Sequence, residues 1–336
     1  MKDVQYGGQA VIEGVMMRGK DKYAIAVRKP DDEIIVEERD FTSPGEKLFF
    51  LGWPFVRGIV ALISSLVIGM KALSFSADVA LEEEEEEISS LEMVVTILIS
   101  FGFAILFFVA LPAGIIRLIQ YFFAHDSMVY NLFLNLLEGV IKIGAFLAYV
   151  YFISRIEDIK DVFRYHGAEH KVIYNYEAGE PLSVDNARGH TTLHPRCGTS
   201  FIFIVIMISI LFFSLLSLFG RPPFLQRVLF HLMLLPLVAG TSYELLKLAG
   251  KKEVNPLVRV LSIPGMWFQK LTTGEPDDSM LEVAIVALKA VLPQEGEETG
   301  SAAGEDEVSQ ESNVEQSRKP QPEKPEENQK GEDKNV

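Results

Sequence analysis

Apolar positions in this chain gather into long unbroken runs separated by polar segments, which points away from a water-soluble globule. Met93–Ile116 holds no ionisable residue and reaches the roughly 20 residues a membrane-crossing helix needs, with Pro112 placed to kink its end. Cys197–Gly220, containing "FIFIVIMISILFFSLLSLF", is the cleanest candidate span. Ser127–Ser154 is interrupted only by Glu138 and Lys142, and Val228–Leu248 by His231, Glu244 and Lys247. Gly58–Met70, between Arg57 and Lys71, is short and reads as a re-entrant or interfacial segment. The first fifty residues follow a different rule. "QAVIEGVMMRG" and "YAIAVRKPDDEIIVEERDF" are β-branched, partly alternating, and broken by Gly7–Gly8 and Pro30–Asp31–Asp32, which predicts a small sheet of about three strands. Pro256–Leu271, with Trp267 and two prolines, reads as interfacial. Ser279–Met280–Leu281–Glu282 has capping-box spacing before a last apolar helix ending near Pro293.

The fold class expected is therefore a mainly α-helical integral membrane protein. It has about four spans plus a re-entrant or interfacial helix, a small N-terminal β-sheet, and a disordered acidic C-terminal tail. Residues 1–50 form the β-rich domain. Residues 51–292 form the helical membrane domain, with a His/Cys loop at 155–200, and 293–336 the tail.

Composition sharpens this division. The chain is 49% hydrophobic yet carries a net charge of -15, because acidic residues are concentrated in "LEEEEEE" (Leu81–Glu87) and in the tail. Neither segment has the apolar content to build a core. The single cysteine rules out an intramolecular disulfide, and the negative charge argues against nucleic acid as a partner. If Gly58–Met70 does not cross, most Lys and Arg of the connecting segments, such as Lys20, Lys22, Arg164, Lys171 and Lys251, share one side with both termini. By the positive-inside rule that side is the cytoplasm.

The chemistry concentrates in one polar segment. "RYHGAEHKVIYNYE" holds His166 and His170 four residues apart, on one face of a helix, with Glu169 beside the second. "GHTTLHPRCGTSF" follows with His190, His194 and Cys197. Pro195 disfavours helix at His194, so this stretch reads as a turn entering the span. Imidazole and thiolate are zinc ligands, so His166, His170, His194 and Cys197 form the candidate metal set. Glu169 is the candidate general base, as in the H-x-x-E-H pattern.

Five stretches, "GGQAVIEGVMMRG", "RYHGAEHK", "LHPRCGTSF", "PLVAGTSYELLKLAG" and "EPDDSMLEVAI", make the chain similar to the YqhQ-like family of bacterial membrane proteins. The resemblance spans roughly residues 4–292. It implies a multi-pass protein of the bacterial cytoplasmic membrane, carrying a metal site and labelled as a metal-dependent enzyme, with no substrate attached. His190 and the acidic tail fall outside the matching stretches.

Further residues have both a functional and a plain reading. Glu244 lies in an apolar helix, where a carboxylate is expensive. It is a candidate catalytic ligand or the ion-pair partner of Lys247. Glu138 and Lys142 are spaced to neutralise each other. Glu13 and Arg18 are candidate substrate contacts or ordinary hairpin charge. Three functions compete. One is a metal-dependent hydrolase at the cytoplasmic membrane face, using a divalent metal of the zinc type and Glu169. The second is a non-enzymatic protein whose His/His/His/Cys site clamps the loop. The third is an ion-coupled transporter using Glu138, His231 and Glu244. The expected partner is the lipid bilayer. A homo-oligomer would supply the extra spans a transporter needs, and any soluble partner of the tail is unnamed by the sequence.

Overall fold

The computed structural model describes residues 6–42, 49–53, 56–81, 90–123, 125, 127–216, 223–249 and 256–293. The acidic run after Leu81 and the tail beyond Pro293 lie outside the described residues, as does the side chain of His231.

The N-terminal segment forms four strands rather than three: β1 (Gly7–Val11), β2 (Gly14–Arg18), β3 (Lys22–Arg28) and β4 (Ile34–Asp40), antiparallel in the order β1-β2-β3-β4. The β1–β2 turn is only Ile12–Glu13, and Glu13 adopts φ 47° to close it. The sheet is buried on both faces. Val15, Met17, Ala24 and Ala26 point to one side, into a core shared with two helices, α5 (Glu157–Glu177) and α10 (Asp278–Val291). Val11, Met16, Tyr23, Ile25 and Val27 point to the other, against helix α1 (Val56–Leu81). This two-sided burial explains why "GVMM" is continuously apolar and only the edge strand β4 alternates, as "IIVEERD".

Helix α1 is 26 residues long, twice the extent of the uninterrupted run Gly58–Met70. The expectation of a short segment stopped at Lys71, but Lys71 is exposed and the apolar pattern resumes behind it with Ala72, Leu73 and Phe75. Helix α2 (Ser90–Ile105) passes through a π turn (Leu106–Ala110) into α3 (Leu111–Phe122). Pro112 lacks an N–H and its ring crowds the preceding turn. The widened Leu111 N–H to Leu106 carbonyl bond lets the helix run on. Then come α4 (Met128–Ile153), α6 (Val184–Arg188), α7 (Gly198–Leu216), α8 (Phe224–Ala249) and α9 (Pro256–Thr272). Among the described residues, four helical stretches are long and apolar enough to cross a membrane: Val56–Ala80, Val94–Phe122, Met128–Ile153 and Gly198–Leu216.

The start of α10 departs from the capping-box expectation. Asp277, not Ser279, caps the helix by accepting the Met280 N–H at 3.0 Å. Glu282 does not reach back; it meets Arg28 of β3 at 2.7 Å. The tertiary partner outcompetes the local one.

Candidate metal centre

The residues of "RYHGAEHK" fan out from α5 to almost every neighbouring element. Arg164 pairs with Asp277 at 2.8 Å and Asp161 at 3.1 Å. The Tyr165 hydroxyl donates to Glu13 at 3.2 Å. Gly167 passes so close to the Gly274 carbonyl that a methyl group there would collide with it. Glu169 Oε1 accepts the Gly8 N–H at 2.9 Å, which ties β1 to the helix. Lys171, buried, reaches the Arg188 carbonyl at 3.0 Å and Glu275 at 2.5 Å. Helix α5 is held rigidly by partners far away in sequence, so its histidines are presented in fixed directions.

His166 and His170 meet edge-on as neighbours one turn apart, with ring centroids 4.5 Å apart. Each has its Nδ1 against a backbone carbonyl: Thr272 for His166, at 2.8 Å, and Thr192 for His170. A carbonyl only accepts, so Nδ1 carries the proton and Nε2 keeps its lone pair. His166 Nε2 faces Cys197 Sγ at 3.1 Å. The ligand atoms of His166, His170 and Cys197 lie within 4.8 Å of one another.

Cys197 immediately precedes α7, in the N-cap position. Its sulfur accepts the Thr199 N–H at 3.4 Å and contacts the Thr199 hydroxyl at 3.0 Å. Gln269, completely buried on α9, fixes the turn leading to it. It accepts the His194 N–H and donates to the His194 carbonyl, both at 2.8 Å, and donates to Ser200 Oγ at 2.7 Å. The sequence reading passed over this residue. The available signal was an amide alone in the apolar stretch "GMWFQKL".

His194 sits beside the cluster, its ring centroid 5.5 Å from that of His170, but its nitrogens are turned elsewhere. Nδ1 accepts the Arg196 N–H at 3.3 Å and Nε2 faces Glu177 at 3.7 Å. His190 is further removed, stacked on Tyr174 and 3.1 Å from Glu180. Burial pushes the pKa of both His170 and His194 down, keeping them neutral, the form that binds metal. Burial pushes the Glu169 carboxyl up, with His166 and His194 pulling the other way.

The remaining candidates have their own surroundings. Glu244 does not turn to Lys247; it pairs with Arg57 at the start of α1, Nε to Oε1 at 2.7 Å with a second contact between Nη2 and Oε2. Glu138 meets Lys142 at 3.0 Å within α4. Glu13, held by Tyr165, has its carboxyl raised by burial. The Arg18 guanidinium lies over the Phe41 ring, 3.9 Å from its centroid, and burial lowers its pKa. Glu13 and Arg18 stand at opposite ends of β2, about 16 Å apart at strand rise, so one small ligand does not bridge them.

Residues 53–294 match the family model described as "Protein of unknown function (DUF1385)". The chain belongs to this family. Within it, the chain is 36% identical over 300 residues to the uncharacterized protein YqhQ of Bacillus subtilis (strain 168), covering 85% of this chain and 92% of that protein. No solved structure matches. Membership of the DUF1385 family brings no activity with it and does not support the label of metal-dependent enzyme.

Proposed function

We propose that the chain is a divalent-metal-dependent membrane protein, acting as a hydrolase on a lipid or peptide at the cytoplasmic membrane face. The observation that carries this reading is the pair of imidazoles with Nδ1–H bonded to carbonyls and Nε2 turned inward toward a helix-capping cysteine. Outer partners of this kind are what orient metal-binding histidines. The 3.1 Å between His166 Nε2 and Cys197 Sγ is near the roughly 3.5 Å that two tetrahedral zinc ligands keep. His166, His170 and Cys197 therefore fit a zinc-like ion, and three protein ligands leave one position for water or substrate. When bound, such an ion supplies Lewis acidity and lowers the pKa of water.

The chain's own residues supply the rest. His166 and His170 hold their lone pairs in place without reorganising. Glu169, whose carboxyl is raised by burial, is the carboxyl beside the histidine pair that would take and return a proton. Cys197 opens an apolar helix, which supports a site at the level of headgroups or membrane-bound peptides. Glu244, as a further catalytic group, and Glu13 and Arg18, as substrate contacts, remain part of the proposal as separate subsites.

A second reading has its own support. Glu169 already serves as an acceptor for Gly8, and His194, with its ring centroid 5.5 Å from that of His170, stands beside the cluster as the candidate fourth ligand of a structural clamp. The transporter reading draws on buried Asn135, Glu138 and Ser214 in α4 and α7, yet Glu138 and Glu244 both have cationic partners that neutralise them. Substitution of Glu169 by Gln separates the first two. The amide oxygen still accepts the Gly8 N–H, so fold and metal content persist. The hydrolase reading predicts loss of at least about 100-fold in turnover of ester or peptide substrates presented in mixed micelles. Unchanged turnover removes Glu169 as the base. Loss of metal in this variant instead points to a ligand-shell role.

A further inference from the structure

Length and composition admit α1 as a membrane span, but the packing of the extramembrane core does not. Residues of β1–β3 share one core with α5 and α10, so sheet, α5 and α10 lie on one side of the membrane. Between the sheet and α5 the chain passes through Val56–Ala80, Val94–Phe122 and Met128–Ile153. Three crossings would leave the sheet and α5 on opposite sides. An even number is required, so one of the three does not cross.

The helix that fails to cross is α1. Its second half is docked on the sheet: Ile68 and Ala72 are buried among Val11, Met16, Tyr23, Ile25 and Val27, with Phe75, Val79 and Ala80 packed beside them. The Ile12 N–H donates to Ser76 Oγ at 3.2 Å. A sheet with the charged edge strand "IIVEERD" cannot sit in hydrocarbon, because its open edge would lack hydrogen-bond partners. What remains undocked, 56–67, is about 18 Å of helix against a hydrocarbon core of about 30 Å. On the face away from the sheet, Ile63, Leu66, Val67, Met70 and Leu73 recur at helical spacing and are 40–63% exposed. No described residue covers them.

We infer that α1 lies in the membrane plane as a lipid-contact surface, with the sheet on its upper face and the apolar stripe sunk among acyl chains. Trp53, exposed just ahead of the helix, is placed as an interfacial anchor. Gly58 lets α1 press against Tyr243 and Gly240 of α8 where that helix meets the surface. The same parity acts between α5 and α10. Since α7 crosses, one helix must return the chain, and α8, at 26 residues, is long enough to do so. This inference is independent of the metal site.

Single cysteines introduced as Glu33→Cys, Asp78→Cys and Gln226→Cys in the full chain test it, with buried Cys197 left in place and its background measured in the unsubstituted chain. A membrane-impermeant maleimide applied to sealed inside-out and right-side-out vesicles is expected to label Glu33→Cys and Asp78→Cys from the same face and Gln226→Cys from the other. Labelling of Asp78→Cys from the face opposite Glu33→Cys overturns the proposal. Where a variant does not insert, nitroxides at 63, 66, 67, 70 and 73 give a second reading through their oxygen accessibility. A uniform shallow depth supports the in-plane helix. A depth that rises to the bilayer centre and falls again overturns it.

Discussion

Helices α10 and α2 are both apolar, yet one is packed in protein and the other is turned outward. In the 14 residues of α10, Met280, Leu281, Val283, Ala284, Ile285, Ala287, Leu288 and Val291 are buried against the sheet and α5. In Val94–Phe122 the most apolar window has none of its residues buried. The first helix is held by protein packing, where each methylene has neighbours and its loss leaves a cavity. The second is turned outward, where the lipid tails of a bilayer would fill any space. Polar residues follow the same division. Around the extramembrane core they form long-range clasps: Lys171 with Glu275, Arg164 with Asp277, Arg188 with Asp278 at 2.7 Å. In the candidate span α4, Glu138 finds its partner one turn away.

Substitutions should expose this contrast directly. The largest effect is expected for Leu288→Ala, which opens a cavity between α10 and the sheet and should cost about 2–5 kcal/mol in denaturant unfolding of the detergent-solubilised chain. Asp277→Ala removes the α10 cap and the Arg164 partner together, and a loss of about 1–2 kcal/mol is expected by the same assay. Leu211→Ala, on the exposed face of α7, should stay below about 1 kcal/mol. A Leu211→Ala cost equal to that of Leu288→Ala would erase the distinction between the two regions and imply a protein neighbour for α7.

The pH dependence belongs to the core as well. The pKa values of His170 and His194 are lowered on folding from an ordinary 6.5, so below that pH the unfolded chain binds more protons than the folded one. Stability of the metal-free protein should therefore decline as pH falls from 6.5 toward the lowered folded values. Glu169, raised by burial, works oppositely, withdrawing stability as pH climbs from 4.5 through its folded value. Replacing Glu169 by Gln should remove that second slope and leave the first. Melting temperatures across pH 4–8 for both chains measure it, an interval chosen to bracket the ordinary Glu and His values.

What could be read in the sequence was what acts over one or two turns. The i, i+4 spacing of His166 and His170, the break at Pro195 and the pairing of Glu138 with Lys142 are local and were legible. Partners chosen by the tertiary fold were not. Glu244 looked to Lys247, three residues on, and found Arg57, 187 positions away. Glu282 looked to its own helix start and found Arg28. His194 was grouped with Cys197 by proximity, and its ring turned to Arg196 and Glu177 because Gln269 holds the turn from behind. The length of α1 was hidden by Lys71, whose charge ends an apolar window but costs nothing on an exposed helix face.

The account centres on His166, His170 and Cys197 meeting at one cation. X-ray absorption at the metal edge of the purified full chain measures this most directly. One divalent ion per chain, with two nitrogen neighbours near 2.0 Å and one sulfur near 2.3 Å, is predicted, the sulfur disappearing in Cys197→Ser. A metal-free chain after incubation with zinc, or bound zinc with no sulfur neighbour, would contradict it.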